Sequence, residues 1–246
     1  MSGTLGAACR EPTCISGDVG AATLGRGKPL LQRKKRDTRA YTQRMLDRFT
    51  LPMFAAPHRF VAKACLRMNF SPNFVTLMGA AIGVAAAPLI AMHSYLWALA
   101  LILINRFLDG VDGTMARTGA IGPTERGAFL DIVCDFLVYA AVPLGFAFAD
   151  PANALPAAVL LASFIGTGSS FLAFAAVTAK RGTVSPSYPN KGIHYLGGLT
   201  EGTETILAFC AMCVWPQHFA LIAYGFAAAC AVTTATRLFF GAKSLD

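Results

Sequence analysis

Beyond residue 70 the chain reads as long apolar runs separated by short polar breaks. Runs of about 20 residues, enough for a ~30 Å hydrocarbon core, begin near Phe74, Tyr95, Ala128, Ala154, Thr200 and His218. Six helices of that length use nearly all of residues 71–243. The pattern therefore predicts an all-α integral membrane protein with a single six-helix transmembrane domain. Residues 41–70 are patterned differently: Leu, Phe and Met alternate with Arg, Lys and His at helical spacing. An N-terminal amphipathic helix lying in the membrane interface is expected there, broken at Pro52 or Pro57. Ser71-Pro72-Asn73 then supplies a turn and a helix start. The first span, 74–92, carries no charge, and its Gly79, Ala80, Gly83 and Ala87 form a small-residue face for close helix packing.

Composition agrees with this architecture. The 246 residues are 55% hydrophobic and only 14% charged, with a mean hydropathy of +0.53, whereas soluble domains carry roughly 25% charged residues. The first seventy residues hold thirteen of the twenty-one Lys and Arg but only Glu11, Asp18, Asp37 and Asp47 as acids, so the net charge of +8 resides there. A run such as RGKPLLQRKKRDTRAYTQR has the composition of a nucleic-acid patch. Directly ahead of a membrane bundle it is expected to face anionic membrane lipids of the cytoplasmic leaflet, with no nucleic-acid partner. Residues 1–40 are read as a disordered cytoplasmic tail, and 1–25 lack the pattern of a signal peptide.

The remaining Lys and Arg (106, 117, 126, 180, 181, 191, 237 and 243) fall at one alternate set of helix ends, while the connections near His93, Asp150 and Trp215 carry none. By the positive-inside rule both termini and the loops after the second and fourth spans are cytoplasmic, and a bacterial inner membrane is the expected location. Seven scattered cysteines show no metal-finger spacing, and Cys210 and Cys213, inside an apolar run, read as packing residues.

The second span is apolar only to Ile104 and must carry Asn105, Arg106, Asp109 and Asp112; the third begins with Asp131 and Asp135 in its first turns. Asp109 and Asp112 are spaced i,i+3 and Asp131 and Asp135 i,i+4, so each pair shares a helix face with Cβ atoms about 5–6 Å apart. A short Gly- and Pro-containing loop between the two helices brings all four acids to one depth on the cytoplasmic side. Four carboxylates in a poorly hydrated site repel unless protonated or bridged by a cation, and an all-oxygen cage suits Mg²⁺ or Mn²⁺. Gly113, Ala116 and Gly127 clear side chains from the acidic faces, and Arg117 adds a bidentate phosphate donor. Together they suit a nucleotide diphosphate. Two competing readings remain: a structural ion-pair network with Arg106 and Arg117, and a cation carrier, although a carrier calls for midplane acids on broken helices in two similar halves.

Asp109-Gly-Val-Asp112-Gly113-Thr-Met-Ala116-Arg117, followed by Gly127, Asp131 and Asp135, resembles the signature of the CDP-alcohol phosphatidyltransferase family (class I). The resemblance covers 45–243 in outline and 109–135 in motif detail. It implies that Asp109, Asp112, Asp131 and Asp135 bind divalent metal, that Gly113, Ala116, Arg117 and Gly127 contact the CDP portion, and that Asp135 is the general base. One departure is a spacer of nine residues, 118–126, where the family usually has eight. The implied reaction is transfer of a phosphatidyl group from CDP-diacylglycerol to a small hydroxyl-bearing acceptor with release of CMP. The alternative within the family uses a soluble CDP-aminoalcohol with diacylglycerol as acceptor, and homodimers are frequent there.

The loop after the fourth span lies on the same side as the acids, so Lys180, Arg181, Lys191 and Arg237 are candidates for an acceptor phosphate. Glu201 and Glu204, spaced i,i+3 at the start of the fifth span among Thr200, Thr203 and Thr205, instead suit a polyol or an amine-bearing alcohol. An acidic helix start that complements the helix dipole is the bland reading of the same glutamates.

Overall fold

The computed structural model describes residues 47–120, 122–180, 200 and 202–245. They belong to one compact unit, Gln43–Asp246, and among them every regular element is helical. The tail 1–40 and the acceptor candidates Arg181, Lys191 and Glu201 lie outside the described residues.

Helix α1 (Asp47–Arg67) runs unbroken through both Pro52 and Pro57, so the expected break is absent. An interior proline costs about 3 kcal/mol, but α1 is held by tertiary packing: Ala62, only 1% exposed, sits with Val75, Val111 and Met115, flanked by Val61, Cys65 and Leu66. The helix stops at Asn69, whose φ of 59° is the left-handed conformation that Asn tolerates. Ser71 then caps α2 (Pro72–Val84) by accepting from the Phe74 N–H at 3.2 Å, with Pro72 in the first turn.

The first span is in two pieces, α2 and α3 (Ala86–Ala91), joined at Ala85. Pro88 explains the joint, because it offers no N–H to the Val84 carbonyl and its ring crowds that turn. Helix α4 (Tyr95–Thr118) carries the four predicted polar residues without interruption. Helix α5 (Glu125–Ala149) starts at Thr124, whose Oγ1 accepts from the Gly127 N–H at 3.0 Å. Then follow α6 (Ala154–Lys180), α7 (Gly202–Val214) and α8 (Phe219–Leu245).

Four stretches are long and apolar enough to cross a membrane: Pro72–Ala91, Glu125–Ala149, Pro151–Lys180 and Pro216–Lys243. Helix α4 has the length, 24 residues, but its second half is charged. Helix α7 falls short of the run of about 20 residues expected from Thr200. Its 13 residues rise only about 20 Å, and the chain turns at Trp215 into a 3-10 turn, Pro216–His218.

Helix α4 packs on α1, α2, α3 and α7, α5 on α2, α3 and α6, and α6 lies along α8. The small-residue face of α2 makes the first contacts possible. A Cβ on Gly83 would stand 2.7 Å from Val138 Cγ2 and 2.9 Å from Asn105 Cγ, so only glycine lets α4 and α5 approach together. Large apolar side chains point outward, among them Trp97, Phe148 and Leu221 at over 70% exposure. Such a surface is what lipid, and not water, would cover.

Candidate active site

Helical spacing divides the charged half of α4 into two adjoining stripes. Asn105, Asp109, Asp112 and Ala116 follow one, and Arg106, Gly110, Gly113 and Arg117 the next. The first stripe meets α2 and α5. Asn105 Nδ2 donates to the Gly79 carbonyl at 3.0 Å, and buried Asp112 accepts a short hydrogen bond from Thr76 Oγ1. Thr76 Oγ1 also lies 3.1 Å from the Pro72 carbonyl. The capped start of α2 thus delivers a hydroxyl to Asp112 one turn into the helix.

One carboxylate oxygen from each of Asp109, Asp112 and Asp131 lies within 4.8 Å of the others. Asp135 lines the same cavity, which measures about 10 Å³ and also touches Thr76, Asn105 and Cys134. An all-oxygen donor set of this spread suits a hard divalent cation, whose opposed ligands stand ~4–5 Å apart. Of the nine-residue spacer, Thr118 ends α4 and Glu125 and Arg126 begin α5. Gly122 there adopts a φ of 76° with nothing near its Cα substituent position, a conformation open chiefly to glycine.

Arg106 pairs with Asp109 one turn away. Arg117 does something else: its Nη2 lies 3.4 Å from Thr114 Oγ1, and its guanidinium folds over Gly113, where a Cβ would come within 3.2 Å of Nη1. A purely structural network using both arginines is therefore not what α4 forms. Ala116 lies half-buried on the acidic stripe. Gly127 faces α2, since a Cβ there would meet Asn73 Oδ1 at 3.3 Å. Gly113, Ala116 and Arg117 lie within two turns of Asp109 and Asp112 on α4, and Gly127 one turn before Asp131 on α5.

Sequence reasoning missed Thr76 as a partner of Asp112. A threonine in an apolar helix ordinarily bonds its own i−4 carbonyl, so its spacing carried no distinguishing signal. It also passed over His58 on α1, whose ring lies 4.8 Å from that of Phe107. Burial, with Arg106 nearby, pushes this histidine below its usual value of 6.5.

The acceptor candidates separate. Lys180 is exposed at the last residue of α6. Arg237 on α8 donates to the Thr167 carbonyl on α6 at 3.0 Å and lies 5.8 Å from the Phe171 ring centroid. Glu204 stands half-buried in the first turn of α7. That turn reaches the site: a Cβ on Gly202 would be 3.6 Å from Arg106 Nη2 and 3.4 Å from the Tyr139 hydroxyl. On the neighbouring side of α5, an apolar cavity of about 510 Å³ opens toward α6, lined by Phe136, Tyr139, Phe164, Ile165, Gly168 and Leu172 among others. Phe136 follows Asp135 directly on α5, so the two cavities open from different faces of the same helix at one depth.

Comparison with known proteins agrees with the motif. The family model described as CDP-alcohol phosphatidyltransferase matches residues 69–235. Inner membrane protein YnjF of Escherichia coli (strain K12) is 49% identical over 202 residues, covering 82% of this chain and 97% of YnjF. A phosphatidylinositol phosphate synthase of Mycobacteroides abscessus is 30% identical over 208 residues, covering 79% of this chain and 86% of that protein. The fold is shared with Mycobacterium tuberculosis phosphatidylinositol phosphate synthase (PgsA1) solved with CDP-DAG bound, at a TM-score of 0.63 and 22% identity over 75% of this chain and 92% of that one. The same enzyme has been solved with manganese and citrate, at a TM-score of 0.56.

Proposed function

This chain belongs to the CDP-alcohol phosphatidyltransferase family, and from that premise we propose that it transfers a phosphatidyl group from CDP-diacylglycerol to the hydroxyl of a small acceptor, releasing CMP. The observation that carries the reading is the convergence of Asp109, Asp112 and Asp131 within 4.8 Å, with Asp135 in the same cavity. Acids arranged this way at the end of two membrane helices serve chemistry more readily than stability. The family match also leaves the cation-carrier alternative without support.

Asp109, Asp112 and Asp131 would hold a divalent cation, Mg²⁺ or Mn²⁺, with Asp135 beside them. When bound, that cation supplies positive charge against the diphosphate and the departing CMP. Arg117 binds the diphosphate from the solvent side, with Gly113, Ala116 and Gly127 leaving room for the CDP portion. Asp135 accepts the proton of the acceptor hydroxyl as its oxygen forms a bond to the lipid-side phosphorus. The bond from that phosphorus to the CMP oxygen breaks, and the proton passes from Asp135 to solvent on turnover. Positioning and charge account for most of what such a transfer requires.

The acceptor comes from the α7 side, where the first turn abuts Arg106 and Tyr139. Glu204 there suits a polyol or amine, while Lys180, Arg181, Lys191 and Glu201 belong to the adjoining connection. The diacylglycerol chains use the apolar cavity between α5 and α6, which is lined almost wholly by apolar side chains. The distribution of Lys and Arg supports six crossings, with α4 and α7 completed in the bundle, and a cytoplasmic site and termini. It likewise supports α1 lying in the interface.

The test is CMP release by the purified full-length protein in detergent with CDP-diacylglycerol, Mg²⁺ or Mn²⁺, and glycerol 3-phosphate, inositol, inositol phosphate, serine or choline in turn. Release with one acceptor, abolished by EDTA, supports the reading and names the product. Silence with all five, together with no binding of CDP-diacylglycerol, rejects it.

A further inference from the structure

A buried polar contact ties down the place where α7 begins. Thr200, two residues ahead of Gly202, is 8% exposed, and Thr233 on α8 is 1% exposed. Thr200 Oγ1 donates to Thr233 Oγ1 at 3.0 Å, and Thr233 Oγ1 donates in turn to the Ala229 carbonyl of its own helix at 3.0 Å. That second bond uses the one proton of the Thr233 hydroxyl, so Thr233 serves Thr200 as an acceptor and the pair has a single direction. Thr167 and Ser170 on α6 and Thr234 and Thr236 on α8 also donate to carbonyls of their own helices; Thr233 does so and receives a bond from a different element as well. Cys230, one turn earlier on α8, meets the side chains of Thr200 and of Ser163 on α6. The residue leading into α7 is thereby fastened to α8. Two residues on, the backbone at Gly202 reaches Arg106 and Tyr139, and Arg106 pairs with Asp109 of the acidic cluster.

We propose that Thr233 is a positioning residue for the acceptor: by accepting the Thr200 hydroxyl it sets the first turn of α7 against Arg106, and with it the place from which the acceptor approaches the acids. The inference rests on the α7 reading of the acceptor above and adds to it a residue of α8 that acts through Thr200. Packing alone does not call for this pair, since two valines would fill the same space, and replacing both partners of a buried hydrogen bond by apolar groups of the same shape is nearly neutral. A hydroxyl pair demands one distance and one angle, so it selects a single register for the entry to α7 where apolar contacts accept several.

Thr233→Val removes the accepting hydroxyl and keeps the shape, Thr233→Ser keeps the hydroxyl, and Thr200→Val removes the donor at the other end. Each full-length variant would be assayed in detergent with Mn²⁺ for kcat, for KM toward CDP-diacylglycerol and for melting temperature. KM would also be measured toward whichever of glycerol 3-phosphate, inositol, inositol phosphate, serine or choline the wild type uses. Thr233→Val is expected to raise the acceptor KM about fivefold, the worth of one such hydrogen bond, with KM for CDP-diacylglycerol and melting temperature held. Thr233→Ser should recover most of that loss. Thr200→Val should match Thr233→Val, and the double variant should be no worse than either, because the same contact is lost in all three. An unchanged acceptor KM in Thr233→Val, a parallel rise in both KM values, or additive losses in the double variant would overturn the proposal and leave the pair a packing contact. Silence of the wild type with all five acceptors would instead overturn the functional reading, and the proposal with it.

Discussion

The two halves of α4 and α5 are built on different physics. At one end Ala98, Ile102, Val142 and Phe146 are fully buried, and Phe146 stacks 4.3 Å from Phe219 and 5.8 Å from Tyr95 between ring centroids. At the other end the same two helices bring together four carboxylates, with polar contacts that include Thr76 to Asp112, Asn105 to the Gly79 carbonyl and Arg106 to Asp109. The apolar half gathers few polar side chains and gains from every close contact. The acidic half gathers like charges that repel one another. The difference teaches where stability and activity reside in one pair of helices. The apolar half supplies rigidity, and the acidic half is held in a strained electrostatic state by it.

Substitutions at the two ends should accordingly separate in what they change. The largest effect is expected for Asp135→Asn, which removes the proton acceptor; kcat should fall by about 10²–10⁴ with CDP-diacylglycerol still bound and the melting temperature no lower. A fully active Asp135→Asn enzyme would remove the base from the mechanism. Phe146→Ala probes the other end. In lipid the hydrophobic transfer part of the usual cost is small, so the cavity part, about 2–3 kcal/mol, should remain. Denaturation in detergent should register that loss while kcat/KM of the folded fraction stays near wild type; a change in KM would mean that the ends are coupled.

Arg117→Ala sharpens the comparison within the acidic half. Because the guanidinium is not an ion-pair partner of the acids in α4, its loss should raise KM for CDP-diacylglycerol about tenfold with kcat nearly held. Equal losses in kcat and kcat/KM would instead assign it to the transition state. The smallest effect is expected for Thr76→Val. It removes a hydroxyl from Asp112 without changing shape, and the Mn²⁺ concentration for half-maximal activity should shift by a few fold, about 1 kcal/mol. Thr76→Ser should restore it. Identical metal dependence in Thr76→Val and the wild type would show that Asp112 is oriented by its helix alone.

Much of this was legible in the linear chain. The acids at i,i+3 and i,i+4 flanking a loop predict two helix faces, and α4 and α5 carry them as expected, since helical periodicity is a local property. The start of α2 was legible for the same reason, from Ser71 and Pro72. Pro52 and Pro57 misled, because their local cost is outweighed by the burial of Ala62 and its neighbours against α4, contacts that spacing does not encode. The two-piece first span followed from Pro88, whose effect in an apolar run depends on what packs around it. The hydrogen bond from Arg237 to the Thr167 carbonyl on α6 was likewise not legible, because it joins residues 70 positions apart.

What the amino-acid order determined by itself is the set of local choices: which stretches are apolar, where helices start, and which acids share a face. Those follow from backbone geometry and side-chain spacing within a few turns. Only the tertiary structure decided which faces meet. It set Thr76 against Asp112, His58 against Gly110 and the first turn of α7 against Arg106, because such pairings join residues tens of positions apart. They are selected by the volume that glycines leave open when helices pack, a property no single helix carries.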